Sequence, residues 1–408
     1  MKNKKLTRSI MAAVVGLSLT SAVAPKAEAF SIGNAIGAVI GVSAQYAAVN
    51  KQVSYYNGKG RGEFLTQTKQ RVGVNYDARA NEQLDDIMSR LSAAIAVDDP
   101  SIKKEPYNHF VNNQDSFNAF CTLGHNMSVN IGLFKTLNYN EDEIAFVVAH
   151  EMGHGQHNDP ANGSKRAFPM SVLAAVVGSQ VGNSAEAIGV TLLNNLGSAK
   201  LVTLPMEKSA DKFAFEYAPK AGYNPGAGAA LWERVIEKMG DNKQSFIGSV
   251  FNPSDHPGNI KRRDTYSSSL TKYSNNVVKV DNSTGVISVY NQAIGVPNAS
   301  ATMSKLERAY LVAGNMATVY KNKLTAKPTA SHDGSYVYLN SKAIMSLNSG
   351  DQGDTWVTNL NHANNGRKTP KLTAEKITLK APTDAKSEKA ASGSFRAKLD
   401  ARRAAEGK

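Results

Sequence analysis

Two histidines four positions apart enclose a glutamate in the run His150-Glu151-Met152-Gly153-His154. The spacing predicts a helix in which both imidazoles share one face, one turn apart, and each reaches the same Zn²⁺ at ~2 Å. Glu151 then stands beside the metal, where a water would lie. Its carboxylate can take that water's proton as the oxygen attacks a carbonyl. The alternative is a solvated helix face that merely carries two histidines. A catalytic zinc keeps three protein ligands and one open position, so a third ligand is needed. A metzincin would have Gly and then His at fixed spacing after the second ligand; His157 and Pro160 stand there instead, which excludes that class. Downstream, Glu207 and Asp211 lie four apart in a predicted helix from Pro205 to Tyr217. Glu207 can bind the metal. Asp211 can accept the free ring N–H of a ligand histidine, His150 for preference, and fix its tautomer.

The elements that must position these groups are legible on either side. Asn140 is placed to cap a helix from Glu141 to about Gln156, with Glu143 completing a capping box. Ile144, Val147 and Val148 give that helix a buried side, and Gly153 and Gly155 weaken and end it while letting neighbours close in. A second helix is predicted from about Asn75 to Val97, because Leu84, Ile87, Met88, Leu91 and Ile95 recur at the helical period. Met127, Val129 and Ile131 alternate with polar neighbours and read as a strand. If that strand is an edge, Met127, Ser128, Val129 and Asn130 can pair with an extended peptide substrate; the alternative is a strand covered by the fold. Cys121 is the one cysteine, so no disulfide staples the chain, and it reads as a small buried apolar residue.

The chain has 408 residues, 41% of them hydrophobic and 20% charged, which suits a globular protein of two or three domains. Residues 1–29 read as a secretory signal peptide: Lys2, Lys4, Lys5 and Arg8, then an apolar stretch from Ile10 to Val23, then Ala27-Glu28-Ala29 before the cut. This predicts a periplasmic or extracellular address. Residues 30–64 form a Gly-rich helical segment with Gly33, Gly37 and Gly41 at every fourth position. Apolar helices are expected over Met170–Val181 and Ala187–Leu196, each too short to span a bilayer. Residues 65–275 make the catalytic domain, and 276–362 a small α+β domain without a chemical motif. In the latter, strands are expected at Val277–Val280 and Val286–Tyr290 around the turn Asn282-Ser-Thr-Gly285, then a helix from Met303 to Tyr320, then strands at Ser335–Leu339 and Thr355–Asn359. Residues 363–408 are a basic tail expected to be disordered. The formal net charge of +13 suits contact with anionic lipid or cell-wall polymers; nucleic acid does not fit an exported chain without a nucleic-acid motif.

At this point the sequence resembles the zinc metallopeptidases typified by HtpX and the CAAX prenyl endopeptidases, metallopeptidase family forty-eight of the gluzincin group. Four pieces match in order over roughly residues 65 to 265: Asn118-Ala-Phe120 with Gly124 and Gly132-Leu133; His150 to His154; Glu207-Lys-Ser-Ala-Asp211; and Ser254-Asp-His-Pro257 with Arg262. Ala221-Gly-Tyr-Asn-Pro225 is also typical. The resemblance implies a mostly helical zincin-like domain with a small edge sheet; together with the small C-terminal α+β domain read from its own hairpin signals, the fold class is α+β. It implies one Zn²⁺ held by His150, His154 and Glu207, Glu151 as the catalytic acid/base, and Asp211 and Arg262 behind the ligands. His256, on an extended backbone before Pro257, donates to the oxyanion, occupies the metal's open position, or is a loop histidine with no role. The implied activity is hydrolysis of envelope or secreted polypeptides in quality control. A non-proteolytic envelope chaperone retaining the zinc fold is the alternative. The chain departs from membrane-embedded members in having no convincing spanning helix, and no helical-repeat domain is recognisable behind the catalytic part.

Overall fold

The computed structural model describes residues 46–166, 192, 202–239, 258–322 and 326–367. The expected signal peptide, the glycine stripe, both apolar helices apart from Leu192, His256 and nearly all of the basic tail lie outside these residues. A helical run over 46–57 leads into α1 (Arg61–Val72) and α2 (Ala78–Asp98). Asp77 starts α2 by accepting the Ala80 N–H at 2.8 Å. The five apolar residues that predicted α2 are all buried on one side.

Three short strands follow: β1 (Asn108–Asn112), β2 (Ala119–Thr122) and β3 (Asn126–Asn130). β3 lies at the centre, parallel to β1 and antiparallel to β2. The expectation that Met127, Ser128, Val129 and Asn130 offer an open edge therefore fails. Their strand is flanked on both sides and all five of its residues are buried. The same alternation serves an edge strand and a central strand lined with polar groups. Here Asn112 donates to Ser128 Oγ at 2.8 Å and to Asn130 Oδ1 at 2.7 Å across the sheet. Val111, Met127 and Val129 point the other way, into a core shared with α2 and α4.

A short helix, α3 (Ile131–Thr136), leads to α4 (Glu141–Gln156), which carries both histidines. Asn140 Oδ1 accepts the Glu143 N–H at 3.3 Å, and its amide donates back to Glu143 Oε1 at 3.0 Å. Three more helices follow: α5 (Leu204–Lys220), α6 (Ala227–Met239) and α7 (Asn259–Tyr273). α5 packs closely along α4, because a Cβ on Gly153 would lie 3.1 Å from both the Ala210 Cα and the Phe213 Cβ. Glycine at 153 thus lets the helix that bears Glu207 approach.

The remainder builds a second core from two similar units. The first has β4 (Val278–Val280), β5 (Ile287–Val289), β6 (Gln292–Gly295) and α8 (Lys305–Tyr320). The second has β7 (Ala330–His332), β8 (Tyr336–Leu339), β9 (Lys342–Ser346) and α9 (Gly353–Asn364). The expected strand at Thr355–Asn359 is a helix. Trp356, Leu360 and Ala363 are buried at helical spacing, and a window of five residues was too short to reveal that period.

The two units repeat one another. Both are antiparallel meanders with a register shift at the equivalent place, Ile287/Ser288 and Val337/Tyr338. Their helices are exchanged in part: α8 packs on β4 and β9, α9 on β7 and β6. Asn315 of α8 donates to the Ile344 carbonyl at 3.1 Å, and Asn359 of α9 donates to the equivalent Ile294 carbonyl at 2.8 Å. Asp351 accepts the backbone N–H groups of the equivalent Asn298 and Asn348 at 2.7 and 2.8 Å, one on each oxygen. The two cores also interlock. Leu270 of α7 belongs to the second, while Leu306 and Tyr310 of α8 belong to the first. Among the described residues, no helix is long and apolar enough to cross a membrane.

Candidate metal centre and catalytic site

The helical spacing of α4 brings the two imidazoles together, with His150 Nε2 and His154 Nε2 3.1 Å apart. Glu207, from the first turn of α5, closes the group: its Oε2 lies 3.4 Å from His150 Nε2 and its Oε1 3.2 Å from His154 Nε2. All three residues are buried, and among the described residues they form the one cluster whose donor atoms lie close enough together to hold a metal ion. Ligand atoms about 2.0–2.1 Å from one ion, at tetrahedral angles, stand about 3.3 Å from one another. The observed separations fit a small divalent cation bound by two nitrogens and one carboxylate.

Behind the ligands, two carboxylates fix the rings. His150 Nδ1 donates to Asp211 Oδ1 at 3.0 Å, and His154 Nδ1 donates to Asp159 Oδ2 at 2.9 Å. Both Nε2 atoms are thereby left to face a metal. Asp211 is held in turn by α7. Arg262 Nε donates to Oδ2 at 3.0 Å, its second nitrogen to Oδ1, and the Tyr266 hydroxyl to Oδ1 at 3.0 Å. The Arg262 guanidinium also lies over the Trp232 ring, 4.0 Å from its centroid.

The charges follow from this arrangement. Burial disfavours a charged Asp211, yet Arg262 and His150 outweigh it and hold the carboxyl at about 2. Burial likewise disfavours a charged His154, but the hydrogen bonds to Asp159 and Glu207 raise it to about 10. The surroundings of that ring therefore favour a positive charge, which a metal ion supplies when it takes the proton's place. Burial pushes the Glu151 carboxyl up from its ordinary value. Its Oε2 accepts the Cys121 N–H of β2 at 3.1 Å, while its buried Oε1 has no hydrogen-bond partner among the described residues. Cys121 is buried too, and burial lifts its thiol well above the usual range, so it stays a neutral packing group.

The structure thus gathers His150, Glu151, His154, Glu207, Asp211 and Arg262 in one place. It sets Met127, Ser128, Val129 and Asn130 inside the sheet; β1 and β2 are the outer strands, and β2 is the one packed beside α4. Asp159 escaped sequence reasoning. Its signal was a carboxylate shortly after His154, and the turn that returns it passes through Asn158 at φ 58°, a conformation asparagine tolerates. Tyr266 and Trp232 had no signal in the sequence, because only the packing of α7 on α5 and α6 gives them a role.

Comparison with known proteins agrees with this geometry. Residues 78–269 match the model of peptidase family M48. The beta-barrel assembly-enhancing protease of Escherichia coli (strain K12) is 27% identical over 145 residues, covering 33% of this chain and 29% of that protein. The Yersinia pestis protein of the same name is 23% identical over 189 residues, 44% of this chain and 37% of that protein. The match thus spans well under half the length of these relatives.

Proposed function

Residues 78–269 belong to peptidase family M48, and from that membership we propose that the chain is a zinc-dependent metalloendopeptidase acting on exported polypeptides. The observation that carries this reading is the convergence of three buried donors, His150, His154 and Glu207, beside a Glu151 oxygen with no partner among the described residues. Bound zinc would polarise the scissile carbonyl and a water. Glu151 Oε1 takes a proton from the attacking water and passes it to the departing amine, while the Cys121 N–H keeps Oε2 turned away from that task. Asp211 and Asp159 hold the ring tautomers, and Arg262 keeps Asp211 ionised. An extended substrate would lie along the outer edge of β2, where backbone pairing is sequence-tolerant and suits a protease with many clients. Export and quality control rest on the leader-like residues 1–29 and on the relatives' name, beta-barrel assembly-enhancing protease. Contact with anionic lipid or wall polymer rests on the basic tail.

The test is digestion of an unfolded protein such as casein by the full chain, with and without chelator. Chelator-sensitive cleavage that Glu151→Gln abolishes supports the reading. Cleavage by Glu151→Gln at the wild-type rate would overturn it.

A further inference from the structure

The first turn of the zinc helix is held from three directions. Arg90 of α2 donates to Glu141 Oε1 at 3.1 Å, and the Asn224 N–H donates to Asp142 Oδ1 at 2.9 Å. Arg234 of α6 donates through Nε to Glu143 Oε2 at 3.0 Å. Two of these ties continue into the repeat unit. Asn224 Nδ2 donates to the Leu311 carbonyl of α8 at 2.9 Å. Arg234 also pairs with Glu307 of α8 and donates to the Thr302 carbonyl at 3.1 Å. Glu143 and Glu307 occupy the same position in their helices, three residues after the capping Asn140 and Ser304. One buried guanidinium therefore clasps the N-terminal turn of α4 and that of α8, the helix that runs from the first core into the second.

We infer that Arg234 is a positioning residue for the zinc site, and that the duplicated C-terminal unit is part of the catalytic apparatus. His150 lies seven residues beyond Glu143 on the same helix, a rise of about 10 Å. A helix fixed at its first turn presents its later turns at one height and one rotation. The Nε2 pair and Glu151 must meet Glu207 on α5 to within a few tenths of an ångström, so slack at Glu143 is felt at the ligands. A surface pair would not do this. Glu143 is fully buried, Glu307 nearly so, and Arg234 is 4% exposed, so removing one member leaves the others uncompensated in a low dielectric. Burial and then the Glu143 charge push Glu307 well above the ordinary carboxylate range, and burial pushes Glu143 up as well, so both carboxyls depend on the Arg234 guanidinium between them. A second strut works at the other end of the site: Asn282, in the β4–β5 turn, accepts from Ser267 of α7 at 2.8 Å and donates to Asp264 of α7 at 2.8 Å. α7 is the helix that carries Arg262.

This inference builds on the peptidase reading, and its test separates the two. Arg234→Met and Arg234→Lys are made in the full chain. Backbone amide exchange of Ile144–His150 in metal-free protein should rise at least tenfold in Arg234→Met, with α2 and β7–β9 unchanged. Lysine, which reaches one carboxylate at a time, should restore part of the protection. With metal, kcat should fall at least tenfold while KM stays within twofold, and the visible band of the cobalt-substituted protein should move at full loading. Exchange that stays at the wild-type level, or that rises evenly throughout the molecule, overturns the inference. If Arg234→Met does not fold, Glu307→Ala, which removes the acceptor on α8, carries the same readouts. Its expected result is a threefold or larger rise in α4 and in the first turn of α8, and no change in α4 overturns the claim. Amide exchange needs neither zinc nor substrate. A wild-type chain that digests nothing would therefore remove the peptidase reading while leaving this one to stand or fall on its own data.

Discussion

Around α4 and α5 the protein buries His150, Glu151, His154, Asp159, Glu207, Arg234 and Arg262, whereas around β4–β9 the buried polar side chains include Arg308, Asn359 and Asn364. Both regions obey the rule that a buried polar group needs a partner. They meet it differently. In the repeat unit amides cap carbonyls, as Asn359 caps Ile294 and Asn364 caps Pro328, and the buried Arg308–Asp351 pair directs its other hydrogen bonds to backbone, as at Ser346 and Asn298. In the catalytic half, ionised groups are arranged in layers that end on a shared point. Burying a charge costs several kcal/mol unless it is paired, so such a cluster is costly as mere packing. The difference teaches where chemistry resides: the first region spends stability on electrostatics, and the second supplies rigidity.

The largest blow to that contrast would come at Glu151. Glu151→Gln should lower kcat on the order of 10³-fold while zinc stays bound, as read by single-turnover peptide cleavage and metal content. Activity within tenfold of wild type would mean that the proton moves elsewhere. Next in size is Asp159→Asn, which should weaken metal affinity by about 10–100-fold by releasing the His154 tautomer, measured by competition with a chromogenic chelator. Wild-type affinity would reduce Asp159 to packing. Trp356, wedged against Gly295 in the second core, offers the converse. Trp356→Ala should cost about 3–5 kcal/mol in denaturant unfolding and leave zinc stoichiometry unchanged in the folded fraction. Loss of metal from the folded protein would erase the contrast between the halves.

The smallest effect is acid sensitivity of the repeat unit. Asp281 is held at about 2 by Ser283 and by the Thr284 backbone, and Asp333 at about 2 by Tyr338 and the backbone of Ser335 and Tyr336. Their folded values lie below the ordinary 3.8. They therefore stabilise fully above about pH 4, and that contribution is lost as pH falls toward 2. Between pH 5 and 2.5 the thermal midpoint of Asp333→Asn should fall less steeply than that of wild type. Equal slopes would remove the turn's role.

How much of this the sequence disclosed depended on the range of the interaction. Local signals held up: α4 spans the predicted residues, and its Asn140 cap is where expected. Glu207 and Asp211 were legible because an i,i+4 pair of acids points one way. Arg262 came from the family resemblance alone, since nothing near it in sequence says that it faces Asp211. The central place of β3 was hidden because β1 joins it in parallel, a pairing no local pattern specifies. The duplication went unseen for a similar reason. Only scattered identities survive, such as Ala293-Ile294 against Ala343-Ile344, and the exchange of helices exists in three dimensions only.

The central claim is that two imidazoles and one carboxylate from a separate helix hold a single ion. Its most direct test is the zinc content of the dialysed full chain and of Glu207→Ala. The account predicts one zinc per wild-type chain and a loss of most of it from the variant. An unchanged zinc content in Glu207→Ala would contradict it.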